Sequence, residues 1–133
     1  MGKLKSVLLV DDDDTTNFLN KFFIHQVDSA LEVNVVKNGK EAIDFLILHG
    51  NDHVLPCLLI LDTNMPVMNG WEFLDAFDDK FQEDFKKKVV IIMLTSLDID
   101  NSIRKAVDDP NVTDTAQKPL SDLKFRALIN KYF

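Results

Sequence analysis

The sequence predicts an α/β fold with a doubly wound, five-stranded parallel sheet. Short apolar runs alternate along the chain with segments whose apolar residues recur every three to four positions. The runs are typical of strands buried on both faces, and the spaced segments are typical of amphipathic helices. Strict alternation implies right-handed crossovers that place helices on both faces of an open sheet.

Four apolar runs are the predicted inner strands, and a polar fifth run is a predicted edge strand. The apolar runs span residues 7–10, 31–36, 58–61 and 89–94. The fifth candidate, residues 112–117, is polar, which an edge strand tolerates because one of its sides faces water.

A helix is predicted after each strand. The apolar positions that set the helical spacing are Phe18, Leu19, Phe22, Phe23 and Val27; Ala42, Ile43, Leu46 and Ile47; Trp71, Phe73, Leu74 and Phe77; Ile99, Ile103, Ala106 and Val107; and Phe125, Leu128, Ile129 and Tyr132. Thr15 or Thr16 is expected to cap the first helix and Ser121 the last, and Gly50 is expected to end the second in a left-handed conformation. The charged segment 78–88 is expected to be a solvated connection.

Length and charge limit the classes of function. With 133 residues, we expect a single domain over residues 1–133, with a core over about 5–132 and no output domain. The net charge of −7 argues against nucleic-acid and membrane partners. Neither a signal peptide nor an apolar stretch of membrane-spanning length is recognisable, and the single cysteine, Cys57, lies in an apolar run, so we expect a cytoplasmic protein.

Chemically useful residues follow the predicted strands. Four aspartates, residues 11–14, follow the first strand, Asp62 follows the third, Thr95 ends the fourth, and Lys118 follows the fifth. In open α/β sheets, sites lie at the carboxyl ends of the strands. Clustered carboxylates need a counter-charge, which a hard divalent cation such as Mg²⁺ supplies, and a lysine and a hydroxyl suit a phosphoryl group. Taken singly, the four aspartates also suit a solvated helix start, and Thr95 an ordinary strand end.

The conjunction of these residues resembles the receiver domain of two-component response regulators. The matching motifs are the acid pair in Val10-Asp11-Asp12-Asp13, the phosphoacceptor motif in residues 61–70, the switch hydroxyl Thr95 and the pair Lys118-Pro119. The resemblance extends from Val7 to about Tyr132. It implies a flavodoxin-like (βα)5 fold with strand order 2-1-3-4-5.

The resemblance implies a metal-dependent phosphoacceptor. Asp62 would be the nucleophile that takes a phosphoryl group from a phosphohistidine. Asp12 would bind Mg²⁺ directly and Asp11 mainly through water, and Asp62 and the backbone carbonyl of Asn64 would complete the protein ligands. Mn²⁺ is the implied substitute for Mg²⁺. Lys118, after a cis bond to Pro119, would hold a phosphoryl oxygen.

The resemblance also implies a switch and its partners. Thr95 would move to hydrogen-bond the phosphoryl group and shift the domain between two packings. The implied partners are a histidine kinase or histidine phosphotransfer protein and an unidentified downstream protein, and the only implied catalysis is of the domain's own phosphorylation and dephosphorylation. Thr115 stands where the family often has an aromatic switch residue, and Asn64 and Leu97 occupy positions that tune phosphate lifetime in relatives.

Two other functions are compatible with parts of the sequence. A haloacid-dehalogenase-like phosphatase would use Asp11 as nucleophile, but Asp108 and Asp109 follow Lys105 too closely for that family, and Asp62 would have no role. A receiver-like interaction module that works without phosphorylation would keep the fold and the acidic pocket. The complete residue set argues against that second alternative.

Overall fold

The computed structural model describes residues 3–95 and 101–133, in which strands and helices alternate as predicted, with one added helix. The strands are β1 (Ser6–Val10), β2 (Glu32–Val36), β3 (Cys57–Leu61), β4 (Val89–Thr95) and β5 (Asp114–Gln117). The helices are α1 (Asp14–Val27), α2 (Gly39–His49), α3 (Gly70–Lys80), α4 (Glu83–Lys86), α5 (Asn101–Asp108) and α6 (Asp122–Tyr132). Leu97 and Ile99, to which the sequence assigned roles, lie outside the described residues.

The five strands form one parallel sheet in the order β2-β1-β3-β4-β5, which confirms the predicted order. Val10 at the end of β1 is level with Leu61 at the end of β3, and Thr95 of β4 is level with Gln117 of β5. The residues that follow these strands therefore emerge at the same edge of the sheet.

Each face of the sheet has its own apolar core. β1, β3 and β4 are buried along their whole length, and their alternate residues point to opposite faces. One cluster includes Phe73 and Phe77 of α3 and Ala106 of α5, and the other includes Ile24 of α1 and Phe125 of α6. Helices therefore cover both faces, as the alternating pattern predicted.

Helix α1 differs from its prediction in both its cap and its buried face. Asp13, and neither Thr15 nor Thr16, is the N-cap, because its carboxylate accepts the backbone N–H of Thr16 at 3.1 Å. The apolar positions Phe18, Leu19 and Phe22 are exposed, by 71%, 42% and 51%. These three residues are called the α1 patch below.

The rotation of α1 has a specific cause. Asn17 donates a side-chain hydrogen bond of 2.8 Å to the backbone carbonyl of Asp11, and this bond is buried. Asn17, Asn20 and Ile24 consequently face inwards. The helix presents two buried amides to the sheet and leaves the α1 patch in solvent.

Two connections and the fifth strand also differ from expectation. Gly50 ends α2 with an ordinary φ of −77°, so its role is close packing: a Cβ there would lie 2.4 Å from the carbonyl oxygen of Leu46. The charged connection contains the short helix α4. The ring of Phe81, which follows α3, stacks on the ring of Phe85 in α4, with 4.5 Å between the ring centroids. Only the last four residues of the predicted fifth strand pair in the sheet.

Strand β2 is less buried than predicted, whereas Cys57 is buried, as predicted. β2 is an edge strand, and only its last residue, Val36, is buried, so the prediction of burial on both faces was wrong for it. Cys57 is fully buried, and burial raises the pKa of its thiol to about 11. In the described part of the chain, no helix is long and apolar enough to cross a membrane.

Candidate functional site

Three carboxylates meet at the carboxyl edge of the sheet. Asp11 follows β1 and Asp62 follows β3, and both side chains are nearly buried, with 5% and 7% of each residue exposed. Asp12 is exposed beside them. One oxygen from each of Asp11, Asp12 and Asp62 lies within 4.8 Å of the others. An all-oxygen set of this charge fits a hard divalent cation.

Lys118 supplies the positive charge at this edge. Its Nζ atom donates a hydrogen bond of 2.8 Å to Oδ1 of Asp62 and lies 3.9 Å from Oδ2 of Asp11. Partial burial lowers the pKa of Lys118, but the hydrogen bond and charge of Asp62 and the charge of Asp11 outweigh burial and hold it above its ordinary value. Lys118 is therefore a permanent cation directly on the candidate nucleophile.

The backbone around β1 holds Asp11 in place. Oδ1 of Asp11 accepts the backbone N–H of Asp13 at 3.0 Å, and the amide of Asn17 anchors the carbonyl of Asp11. The Oδ1 atom of Asn17 is buried and has no hydrogen-bond partner among the described residues. Sequence reasoning missed both supporting residues, although the Asp-x-x-Thr spacing of residues 13–16 is a helix-cap signal.

Burial dominates the electrostatics of Asp11. Desolvation raises the pKa of its carboxyl, the hydrogen bond from Asp13 lowers it, and the nearby charge of Asp62 raises it again. The attraction of Lys118 does not restore the ordinary value, so the pKa of Asp11 stays raised. Burial, more than the charges of its neighbours, therefore makes the Asp11 carboxyl easier to protonate than usual.

Thr95 and Lys118 are linked through the backbones of β4 and β5. The backbone N–H of Lys118 donates to the carbonyl of Thr95 at 2.8 Å, and the bond between Lys118 and Pro119 is cis, as expected. The Thr95 side chain is buried, with a long contact of 3.5 Å from its hydroxyl to the carbonyl of Ala116. A hydroxyl held this weakly is free to take a better acceptor. Thr115 is half-buried on the neighbouring strand.

The connection between β3 and α3 completes the rim of the site. Asn64, two residues after Asp62, is exposed. The backbone N–H of Gly70 donates to the carbonyl of Thr63 at 3.0 Å, and a Cβ on Gly70 would lie only 2.4 Å from the carbonyl oxygen of Asp62. Helix α3 can therefore begin directly against the end of β3 only because residue 70 is glycine.

The class of protein follows from the acid cluster at the strand ends and from the hydrogen bond that Lys118 donates to Asp62. Residues 7–130 match the response regulator receiver domain, so the chain belongs to that family and is a receiver domain of two-component response regulators. It is similar to a two-component response regulator of known structure from Cytophaga hutchinsonii, with 34% identity, a TM-score of 0.86 and coverage of 98% of both chains.

Curated relatives agree with that assignment. The two-component response regulator ARR22 of Arabidopsis thaliana is 29% identical over 131 residues, which are 98% of this chain and 85% of the relative. The probable methanogenesis regulatory protein FilR2 of Methanothrix harundinacea is 28% identical over 121 residues, which are 89% of this chain and 76% of the relative.

Asp11→Asn is expected to raise the free energy of unfolding by about 1 kcal/mol at pH 7 in EDTA. The raised pKa means that the folded state binds the proton of Asp11 more tightly than the unfolded state does. The resulting penalty is absent at low pH and develops as the pH rises through the folded-state pKa. The gain in the variant should therefore shrink as the pH falls toward about 4, as urea titrations at several pH values would show.

Asp75→Asn is the matched control, because it removes the same charge from an exposed side chain on another helix. We expect it to change stability by less than about 0.5 kcal/mol. An Asp11 variant that is less stable than wild type at pH 7, or a difference that is independent of pH, would contradict this account of the acidic cluster.

Proposed function

We propose that Asp62 accepts a phosphoryl group from a phosphohistidine and that the resulting acyl phosphate switches the domain. The observation that carries the proposal is the hydrogen bond of 2.8 Å from Lys118 to Asp62 inside a cluster of three carboxylates. A transferring phosphoryl group needs cationic groups around its oxygens, and Lys118 places one directly at Asp62.

The transfer requires no further reactant. An oxygen of the Asp62 carboxylate attacks phosphorus, an O–P bond forms, and the N–P bond of the phosphohistidine breaks. The imidazole leaves with the electron pair of the broken bond and takes a proton from solvent if it left as the anion. Lys118 already contacts an Asp62 oxygen and stays within reach of a phosphoryl oxygen bound there. The chain acts on its own carboxylate and not on a second substrate.

The residues present fit a magnesium ion as the cofactor, with Mn²⁺ as a substitute. Asp11, Asp12 and Asp62 would hold the ion, and the backbone carbonyl of Asn64 would add a neutral ligand. A divalent cation bound there would supply positive charge to phosphoryl oxygens during transfer. Asp11 and Asp62 are nearly buried, whereas Asp12 is exposed. The cluster is therefore open to solvent and to a phosphate on the side of Asp12.

Phosphorylation should add one phosphoryl group to the wild type and none to Asp62→Asn, because the amide is not a comparable nucleophile. Intact-protein mass spectrometry after incubation with a small acyl-phosphate donor, with and without Mg²⁺, measures this directly. The adduct should require Mg²⁺, and Lys118→Ala should form it more slowly.

Asp75→Asn in α3 is the control for a general loss of an acid. A normal adduct on Asp62→Asn would refute the nucleophile. If neither the small donor nor a phosphorylated histidine protein modified the wild type, the phosphorylation-independent interaction module would replace this proposal.

The conformational response is proposed to begin at Thr95. Its side chain is buried at a strand end, and among residues 3–95 and 101–133 its hydroxyl makes only the long contact to Ala116, so a phosphoryl oxygen on Asp62 is a stronger acceptor. Trp71, in the first turn of α3, packs against the core cluster of that face and lies 4.5 Å from the ammonium of Lys105 in α5. The only tryptophan of the chain thus lies in the helix that follows the site and contacts a side chain of α5.

Thr95→Ala should accept the phosphoryl group and yet lose most of the change in Trp71 emission that phosphorylation causes in the wild type. Fluorescence and mass spectrometry on the same samples would separate the two steps. Thr95→Ser, which keeps the hydroxyl, is the control. Equal emission changes in the wild type and the alanine variant would remove Thr95 from the switch.

The α1 patch supports a protein as the phosphodonor. Helix α1 begins at Asp14, directly after the acid pair, so a protein that brings a phosphohistidine to Asp62 lies alongside the first turns of α1. Phe18 and Phe22 are exposed there, with Lys21 and His25 beside them. Buried aromatic anchors surrounded by polar groups are typical of protein interfaces. We propose that a histidine kinase or phosphotransfer protein docks here, in the cytoplasm, and that a downstream protein receives the signal.

The double variant Phe18→Ser, Phe22→Ser should slow transfer from a phosphorylated histidine kinase core by about tenfold or more, because losing an interface anchor removes more than about 1.4 kcal/mol. Transfer from the small acyl-phosphate donor should be unchanged. Leu48→Ser with Val107→Ser is the control, since both are exposed on helices of the opposite face. Equal slowing with both donors would assign the effect to the site itself.

A further inference from the structure

A tight contact joins the start of α2 to the connection between β3 and α3. The backbone N–H of Gly39 donates a hydrogen bond of 2.8 Å to the carbonyl of Met68. A Cβ on Gly39 would lie 2.8 Å from Cγ of Met68, 2.9 Å from its carbonyl oxygen and 2.9 Å from Cβ of Phe73. Phe73 is fully buried and cannot withdraw. Residue 39 must therefore be glycine for the connection to rest against α2 in this way.

The same connection contains a strained turn. Val67 has a φ of +68°, and the backbone N–H of Met68 donates to the carbonyl of Pro66 at 2.7 Å, which closes a three-residue turn. A β-branched residue is strained in the left-handed region. The Val67 side chain is 76% exposed, so its own packing does not offset that strain. The contact of Met68 with Gly39 is the stabilising interaction that follows the turn.

The connection is short and has few free torsions between this contact and the cluster. Met65 is buried in the core and Pro66 has a fixed φ. The backbone N–H of Gly70 closes the connection on Thr63 at 3.0 Å. Asn64 and Met68 therefore belong to one short connection whose ends are held by the bond of Gly70 to Thr63 and by the contact of Met68 with Gly39.

We propose that Gly39 is a positioning residue for the divalent cation: by seating Met68, it holds the strained connection in the conformation that presents the Asn64 carbonyl to the cation. The inference rests on the proposed function, because it takes the acid cluster to bind Mg²⁺. Groups that orient metal ligands without touching the metal typically change its affinity by 10–100-fold when they are altered. Gly39 and Met68 would orient the Asn64 carbonyl in this way, although neither belongs to the acid cluster.

The test is the Mg²⁺ affinity of Gly39→Ala, measured by calorimetric titration of EDTA-treated and desalted protein. The alanine methyl group would push Met68 away, and we expect Mg²⁺ to bind about tenfold more weakly, or worse. Gly50→Ala is the matched control at the other end of α2: its Cβ would lie 2.4 Å from the carbonyl of Leu46 and 2.7 Å from the ring of Phe85. It should lose thermal stability but keep the affinity of the wild type.

Met68→Ala makes the test independent of whether Gly39→Ala folds, because it removes the seated side chain without introducing a clash. It should also weaken Mg²⁺ binding while circular dichroism shows a folded protein. A folded Gly39→Ala whose Mg²⁺ affinity equals that of the wild type, or an unaffected Met68→Ala where Gly39→Ala does not fold, would overturn the positioning role. A wild type that binds no Mg²⁺ would instead refute the metal site of the proposed function.

Discussion

Repulsion among three carboxylates at one edge of the sheet is the constraint on which the site depends. The parallel register makes β1 and β3 end at the same level, so Asp11 and Asp62 meet in a nearly buried position. Burial removes the water that would screen their charges, and the pKa of Asp11 is raised by it. Lys118 relieves the repulsion at Asp62, where it donates its hydrogen bond, more than at Asp11. The remaining negative charge makes this edge of the sheet unfavourable for its own acids and favourable for a cation.

Supporting interactions explain why elements near the site break ordinary patterning. Asn17 turns inward to hold the backbone of Asp11, and this rotation leaves the α1 patch in solvent. Val67 takes a backbone conformation that β-branched residues avoid, in a connection that rests on Gly39. Local preferences are violated in both places, and both lie within a few residues of the acid cluster. Consistency between local and global preferences is expected elsewhere in a fold and fails most often where function requires it.

The sequence predicted the architecture and the site residues for the same reason. Apolar runs identify buried parallel strands, and parallel strands bring their carboxyl ends to one edge of the sheet. The sequence alone therefore groups Asp11, Asp62 and Lys118. Periodicity could not predict which way α1 faces, because a buried side-chain hydrogen bond of Asn17 decides it. Composition could not reveal the close approaches at Gly39 and Gly50, since these depend on atoms distant in the chain. The edge position of β2 likewise depends on strand order and not on its own apolar residues.

Charge balance gives the proposed switch a physical basis that does not require an aromatic residue at position 115. Three carboxylates and one ammonium leave two negative charges, which one divalent cation neutralises. Converting the Asp62 carboxylate to an acyl phosphate adds about one more negative charge, and its new oxygens require donors. Lys118 is already engaged at 2.8 Å, whereas the one contact of the Thr95 hydroxyl within the described part of the chain is 3.5 Å long. We therefore expect Thr95 to be the donor that changes partner most easily, and this exchange needs no contribution from residue 115.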